Sequence, residues 1–171
     1  MGCDVAVADQ WIEPLQFAMA VHLINTPDRQ AAFLAQTGHE TGGLKWLTEL
    51  WGPTEAQKAY ELPNSKALSL GNIKPGDGFR YRGRGLIQIT GRTNYSAVGI
   101  ALCLDCINDP DLLAEPEWAS QSAAWWWEGR GLNELADAGD FKEITKIING
   151  GLNGYDDRVR RWNIAKQALG A

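Results

Sequence analysis

Two glycines set between two glutamates constrain this chain more than any other feature, in the segment His39-Glu-Thr-Gly-Gly-Leu-Lys-Trp-Leu-Thr-Glu49. In one continuous helix, at about 100° per residue, Glu40 and Glu49 would point to opposite faces and could not act together. Gly42-Gly43 argues against such a helix, because paired glycines are costly inside a helix and common just past its end. The spacing predicts that a helix stops after Glu40, that the chain turns, and that Glu49 returns across a cleft from Glu40. Two carboxyl groups about 6.5–9.5 Å apart, with room for a sugar bond and one water, are what hydrolysis with inversion requires.

The 171 residues suit one domain spanning 1–171, long enough to bury a real core. Net charge is −5, which disfavours electrostatic binding to nucleic acid or anionic membranes; the local exception is the stripe Arg80, Arg82, Arg84. Eight tryptophans are many for this length, and those near glycines and charges could stack on sugars. Cys3, Cys103 and Cys106 offer no disulfide framework, and Cys103-Leu-Asp-Cys106 lacks the second pair a structural zinc needs, so all three are read as reduced thiols. No stretch approaches a membrane span and no signal peptide is read, so synthesis in a reducing cytoplasm without stable membrane insertion is expected.

Hydrophobic periodicity predicts a mostly α protein of about seven to nine short helices, with few local strands and a groove between helical lobes. Trp11, Leu15, Ala18, Met19, His22 and Leu23 mark a first amphipathic helix. Thr26-Pro27-Asp28 opens a second that runs to Glu40. Thr54-x-x-Gln57 is a capping box for a short helix to about Tyr60. Residues 62–78 read as a loop, and Phe79 to Thr90 as a small β-hairpin. Helices follow from Asn94 to Leu102, from Asp109-Pro110, from Glu117 to Glu128, from Asp140 to Gly150-Gly151, and from Asp156 to Leu169.

Three segments could carry chemistry. Glu40 is the candidate general acid: at the end of a helix packed on Ala and Leu, apolar surroundings would keep its proton available for a glycosidic oxygen. Glu49 is the candidate base, taking a proton from the attacking water. In Tyr81-Arg-Gly-Arg-Gly-Leu-Ile-Gln-Ile-Thr90, an extended backbone would put Gln88 and Thr90 on one face and Ile87 and Ile89 on the other. An amide and a hydroxyl on an exposed face suit sugar hydroxyls or a water, and Asn94 and Tyr95 could extend that face. In Ile147-Ile-Asn-Gly-Gly151, Asn149 either points its amide into a groove or simply caps its helix. His22 and His39 are the only histidines and lack spaced carboxylate partners, so no metal site and no cofactor are expected; His39 would pack near or orient Glu40.

These three segments, in this order, resemble glycoside hydrolase family 19, which comprises chitinases and related bacteriophage endolysins. His39-Glu-Thr-Gly-Gly43 is similar to the family's acid motif, and Glu49 sits where short-looped bacterial members carry the base. The similarity covers about residues 17–169. It implies a bilobal lysozyme-like fold with a substrate cleft between helical lobes, and single-displacement hydrolysis with inversion. It also implies substrate contacts from His39, Tyr81, Gln88, Thr90, Asn94, Asn149 and an arginine that is Arg158 or Arg161. Glu49-Leu-Trp-Gly-Pro-Thr54, the Gly76-Asp-Gly78 loop and the segment Leu132–Asp140 look like phage and prophage lytic enzymes. This implies a monomeric endolysin that cleaves peptidoglycan and needs a holin-type pore to reach the wall from the host cytoplasm. A chitinase with the same residues, and a non-catalytic glycan-binding protein, are the alternatives.

Overall fold

The computed structural model describes residue 1 and residues 3–171. Among these, eleven α-helices occur in chain order: α1 Val5–Asp9, α2 Ile12–Val21, α3 Pro27–Glu40, α4 Glu55–Lys58, α5 Ser65–Ser69, α6 Asp77–Arg80, α7 Arg92–Leu102, α8 Pro116–Glu128, α9 Leu132–Asp137, α10 Phe141–Asn149 and α11 Tyr155–Leu169, with a 3-10 turn at Pro110–Ala114. The count exceeds the seven to nine expected because short helices break what reads as loop. Residues 62–78 hold α5 and the start of α6. The Asn64 side chain caps the former, and Asp77 in the first turn of the latter pairs with Arg92 from α7.

Two hydrophobic cores build two lobes. The larger gathers Trp11, Leu15 and Met19 with Phe33, Leu86, Trp127, Phe141 and Ile144. The smaller gathers Tyr81, Ile89, Tyr95, Val98, Cys106 and Leu113. Ile87 and Trp126 pack against both and so form the seam. In the larger core Phe33 meets Trp127 edge-on, with ring centroids 5.4 Å apart, a contact that adds about 1 kcal/mol to simple burial. No helix among the described residues is long and apolar enough to cross a membrane. The three cysteines are free, and burial, seconded by the nearby Asp105 charge, pushes the Cys106 thiol up to about 11.

Helices α3 and α11 run antiparallel. Asp28 in the first turn of α3 meets Lys166 in the last turn of α11, while His39 and Glu40 at the other end meet Asp157 and Arg158. The Asp28–Lys166 pair suits both helix dipoles, whereas Glu40 at the C-terminal end of α3 and Arg158 in the first turn of α11 oppose theirs and rely on each other. Thr26 Oγ1 accepts from Arg29 N at 3.3 Å, as its sequence predicts, and α3 stops at Glu40. Gly42 and Gly43 then take φ of +58° and +79°, the left-handed turn that the twin glycines predict.

The expected hairpin is smaller than its sequence suggests. Phe79 and Arg80 finish α6, and strand-like pairing is confined to Arg84 bridging Ile89 on one side and Thr48 on the other. Gln88 adopts φ +54°, which breaks the simple alternation expected of an extended segment. The basic stripe is spent internally: Arg84 pairs with Asp111, Arg80 donates to the Ile107 and Asn108 carbonyls, and Arg82 lies over Phe79.

Candidate active site

Each of the two glutamates is anchored to a different wall. Glu49 belongs to the hairpin wall. Its N–H donates to the Gly83 carbonyl at 2.8 Å, and its Oε2 accepts from Gly83 N at 3.0 Å. Its Oε1 accepts from Gln57 Nε2, also at 3.0 Å. That donor comes from the predicted capping box, which is complete: Gln57 N donates to Thr54 Oγ1 and Gln57 Oε1 accepts from Thr54 N. A side chain at Gly83 would meet Gln88 Oε1 at 2.6 Å and Thr90 Oγ1 at 3.3 Å, so both polar groups converge on the peptide that holds Glu49.

Glu40 belongs to a different, all-helical wall. Its Oε1 accepts from Arg158 Nη2. Arg158 is 1% exposed, and its Nη1 donates to Gln36 Oε1 at 2.6 Å. Gln36 Nε2 passes the contact on to Thr145 Oγ1 of α10 at 2.8 Å. A buried guanidinium therefore stands where apolar surroundings were expected for Glu40, whose side chain keeps 22% of its exposure. Among the described residues Glu40 Oε2 has no protein donor.

A cleft of about 260 Å³ is lined by Gln88, Thr90, Asn94, Trp125, Trp126, Arg130 and Ile148, among others; Glu40 and Glu49 are not in its lining. Asn94 Nδ2 donates to the Thr90 carbonyl at 2.7 Å. Asn149 follows Ile148 directly. Its helix is ended by Gly150, whose N–H reaches Lys146 O at 2.8 Å with φ +72°, so the Asn149 amide is not needed as a cap. Asn149 Nδ2 is a buried donor with no partner among the described residues. A second hollow, of about 350 Å³, lies beneath α1 and α2 against Trp11, Leu15, Met19 and Leu34, and no Asp or Glu is found in its described lining.

Two expected substrate contacts, Tyr81 and Arg158, are corrected by their burial. Tyr81 is 1% exposed, stacks near Tyr95 in the smaller core and donates its hydroxyl to the Ile107 carbonyl. Arg158 is too deeply buried to touch a polymer and holds Glu40 instead. His39 commits Nδ1 to Asp157 at 2.7 Å and lies against Gly154, so it ties α3 to α11. Tyr95, expected to extend the polar face, is buried, with its hydroxyl on the Arg82 carbonyl and under Arg84. Burial, only partly offset by the Arg84 hydrogen bond, pushes that phenol up to about 12. Arg161 is occupied by Asp157 and the Met1 carbonyl.

Sequence reasoning missed Gln57 as the partner of Glu49, Gln36 behind Arg158, and the Trp126–Arg130 pair. Only the last carried a local signal, an aromatic and an arginine four residues apart on a helix end. Arg130 Cζ lies 3.6 Å from the Trp126 ring centroid, and burial there lowers the guanidinium pKa without discharging it.

The fold and the cleft define a mainly helical, bilobal protein of the lysozyme-like type. The family profile described as class I chitinase matches residues 16–134. A glycosyl hydrolase family 19 domain-containing protein of Haemophilus influenzae is 37% identical over 155 residues, covering 77% of this chain and 76% of the relative. A Pisum sativum endochitinase is 34% identical over 169 residues, covering 79% of this chain; the chain spans 50% of that plant protein's length. Chitinase C from Streptomyces griseus superposes with a TM-score of 0.74 at 24% identity, over 99% of this chain and 76% of that one, a likeness of fold. The chain belongs to glycoside hydrolase family 19, a family of glycosidases.

Proposed function

We propose that this chain is an endolysin-type hydrolase that cuts β-1,4 bonds in the glycan strands of peptidoglycan, with Glu40 as general acid and Glu49 as general base. The observation that carries the acid and base roles is the unequal tethering of the two carboxylates, and the wall substrate follows from the likeness of the segments around Glu49–Thr54, Gly76–Gly78 and Leu132–Asp140 to phage lytic enzymes. Glu49 accepts hydrogen bonds on both oxygens, from Gln57 and from Gly83, the pattern of a group that acts as proton acceptor. Glu40 is held by one oxygen only, which leaves the other for a transferable proton.

In the proposed reaction Glu40 protonates the leaving glycosidic oxygen as the C–O bond breaks. A water held by Thr90 and Gln88 attacks the anomeric carbon from the opposite face and gives its proton to Glu49. One displacement inverts the configuration. Gln88, Thr90 and Asn94 contact the sugar, Trp125 and Trp126 offer apolar faces, and Asn149 supplies an amide donor. Acting on the wall from the cytoplasm, the protein works as a monomer and requires a pore in the inner membrane.

The second reading is hydrolysis of chitin by the same groups, favoured by the likeness to the pea endochitinase. Pure protein incubated with peptidoglycan sacculi and with colloidal chitin separates the two. Reducing ends released from sacculi, and fragments identified by mass spectrometry, support the first; release from chitin alone sinks it.

A further inference from the structure

Arg130 is a cation of the cleft with an aromatic support and no counter-charge. Arg29, Arg84, Arg92, Arg158, Arg160 and Arg161 each make an ion pair; Arg130 makes none among the described residues. Its nearest acidic neighbours in sequence make no ion pair with it: Glu128 binds His22 at 2.7 Å, and the charge of Glu134 acts on Arg29. Its one protein hydrogen bond is a long one, 3.5 Å to the Trp126 carbonyl. The exposed guanidinium lies over Trp126, its Cζ 3.6 Å from the ring centroid, in the same lining as Gln88, Thr90 and Asn94, with most of its N–H edge unused. A guanidinium pre-set in this way loses little further freedom on binding, and its edge matches a carboxylate in a two-bond fork.

We propose that Arg130 recognises a carboxylate on the substrate, so that the cleft selects glycan strands bearing acidic branches over neutral N-acetylglucosamine polymers. A neutral polymer would cover the arginine without offering an anion, while a lactyl or stem-peptide carboxylate answers it. The inference deepens the peptidoglycan reading and rests on it.

The test uses the full chain carrying Glu40→Gln, so that strands bind without being cut. Calorimetry compares three ligands of equal length: peptide-free peptidoglycan strands with free lactyl carboxylates, the same strands capped as methylamides, and chitooligosaccharides. The expected result is about tenfold tighter binding of free than of capped strands, the order of one charge-assisted hydrogen bond. That ratio falls to about one when Arg130→Gln is added, is partly kept by Arg130→Lys, and shrinks as salt is raised. A ratio near one in the Glu40→Gln protein, or one that survives Arg130→Gln, overturns the proposal. Hydrolysis of sacculi by the unmodified protein is scored separately. A carboxylate preference without hydrolysis supports Arg130 and defeats the peptidoglycan reading; hydrolysis without the preference defeats Arg130 alone.

Discussion

Gln57 ties a helix cap to a catalytic candidate: its Oε1 accepts from Thr54 N at 2.8 Å while its Nε2 donates to Glu49 Oε1 at 3.0 Å. One carboxamide therefore sets both the start of α4 and the aim of Glu49. Gln57→Met removes both bonds, together with those from Gly52 N and to the Leu50 carbonyl, at similar volume. We expect kcat on the cleaved glycan to fall about tenfold with a much smaller change in KM, since the lost bond orients Glu49 and does not touch sugar. The lost cap destabilises the fold by about 1 kcal/mol, readable by urea denaturation. Equal damage to KM and kcat would contradict this role.

Glu40→Gln keeps the shape and the bond to Arg158 but cannot deliver a proton. Turnover should drop by about a hundredfold to ten-thousandfold while oligosaccharide binding persists. Arg158→Met is expected to do something different. It takes a buried guanidinium from between Gln36 and Glu40, which should cost about 3 kcal/mol of stability. Thermal denaturation of the two variants separates the chemical from the architectural effect.

Asp157 should make stability sensitive to acid. The Arg161 hydrogen bond, with those of His39 and Arg160, holds its carboxyl well below the usual carboxylate range despite some burial. The unfolded chain takes up this proton first as pH falls, so the contribution is whole above about pH 4 and is lost below it. Asp157→Asn should lower the melting temperature near neutrality, and its gap from the unmodified protein should narrow as pH is taken from 6 towards 2. A gap independent of pH would refute the assignment.

Gly154 lies under His39 with φ +70°, and an added Cβ would come within 2.3 Å of the imidazole ring. Gly154→Ala should cost at least about 1–2 kcal/mol from the left-handed backbone alone, with more from displacing His39. Chemical denaturation measures the loss; a neutral result would mean that the start of α11 is looser than drawn.

Most of the helical framework was legible because its signals are local. Thr26-Pro27 opens α3, Asp140 caps α10 through Glu143 N, and Gly150 closes it; each works within four residues. The turn after Glu40 was readable for the same reason. What escaped depends on partners far along the chain. Tyr81 looks like an exposed aromatic until the Ile107 carbonyl, 26 residues on, claims its hydroxyl. Arg158 looks like a cleft residue until Gln36, 122 residues away in sequence, draws it inside. The short helix α6 hid among glycines and prolines because the Asp77–Arg92 pair is tertiary, while α5 carries a local Asn64 cap that its polar stretch conceals.

Ile87 and Trp126 belong to both cores at once, so the lobes share side chains at their meeting line. Hinging there would tear packed atoms from two interiors together. The groove is therefore expected to meet a glycan chain already in its working shape rather than to close around it.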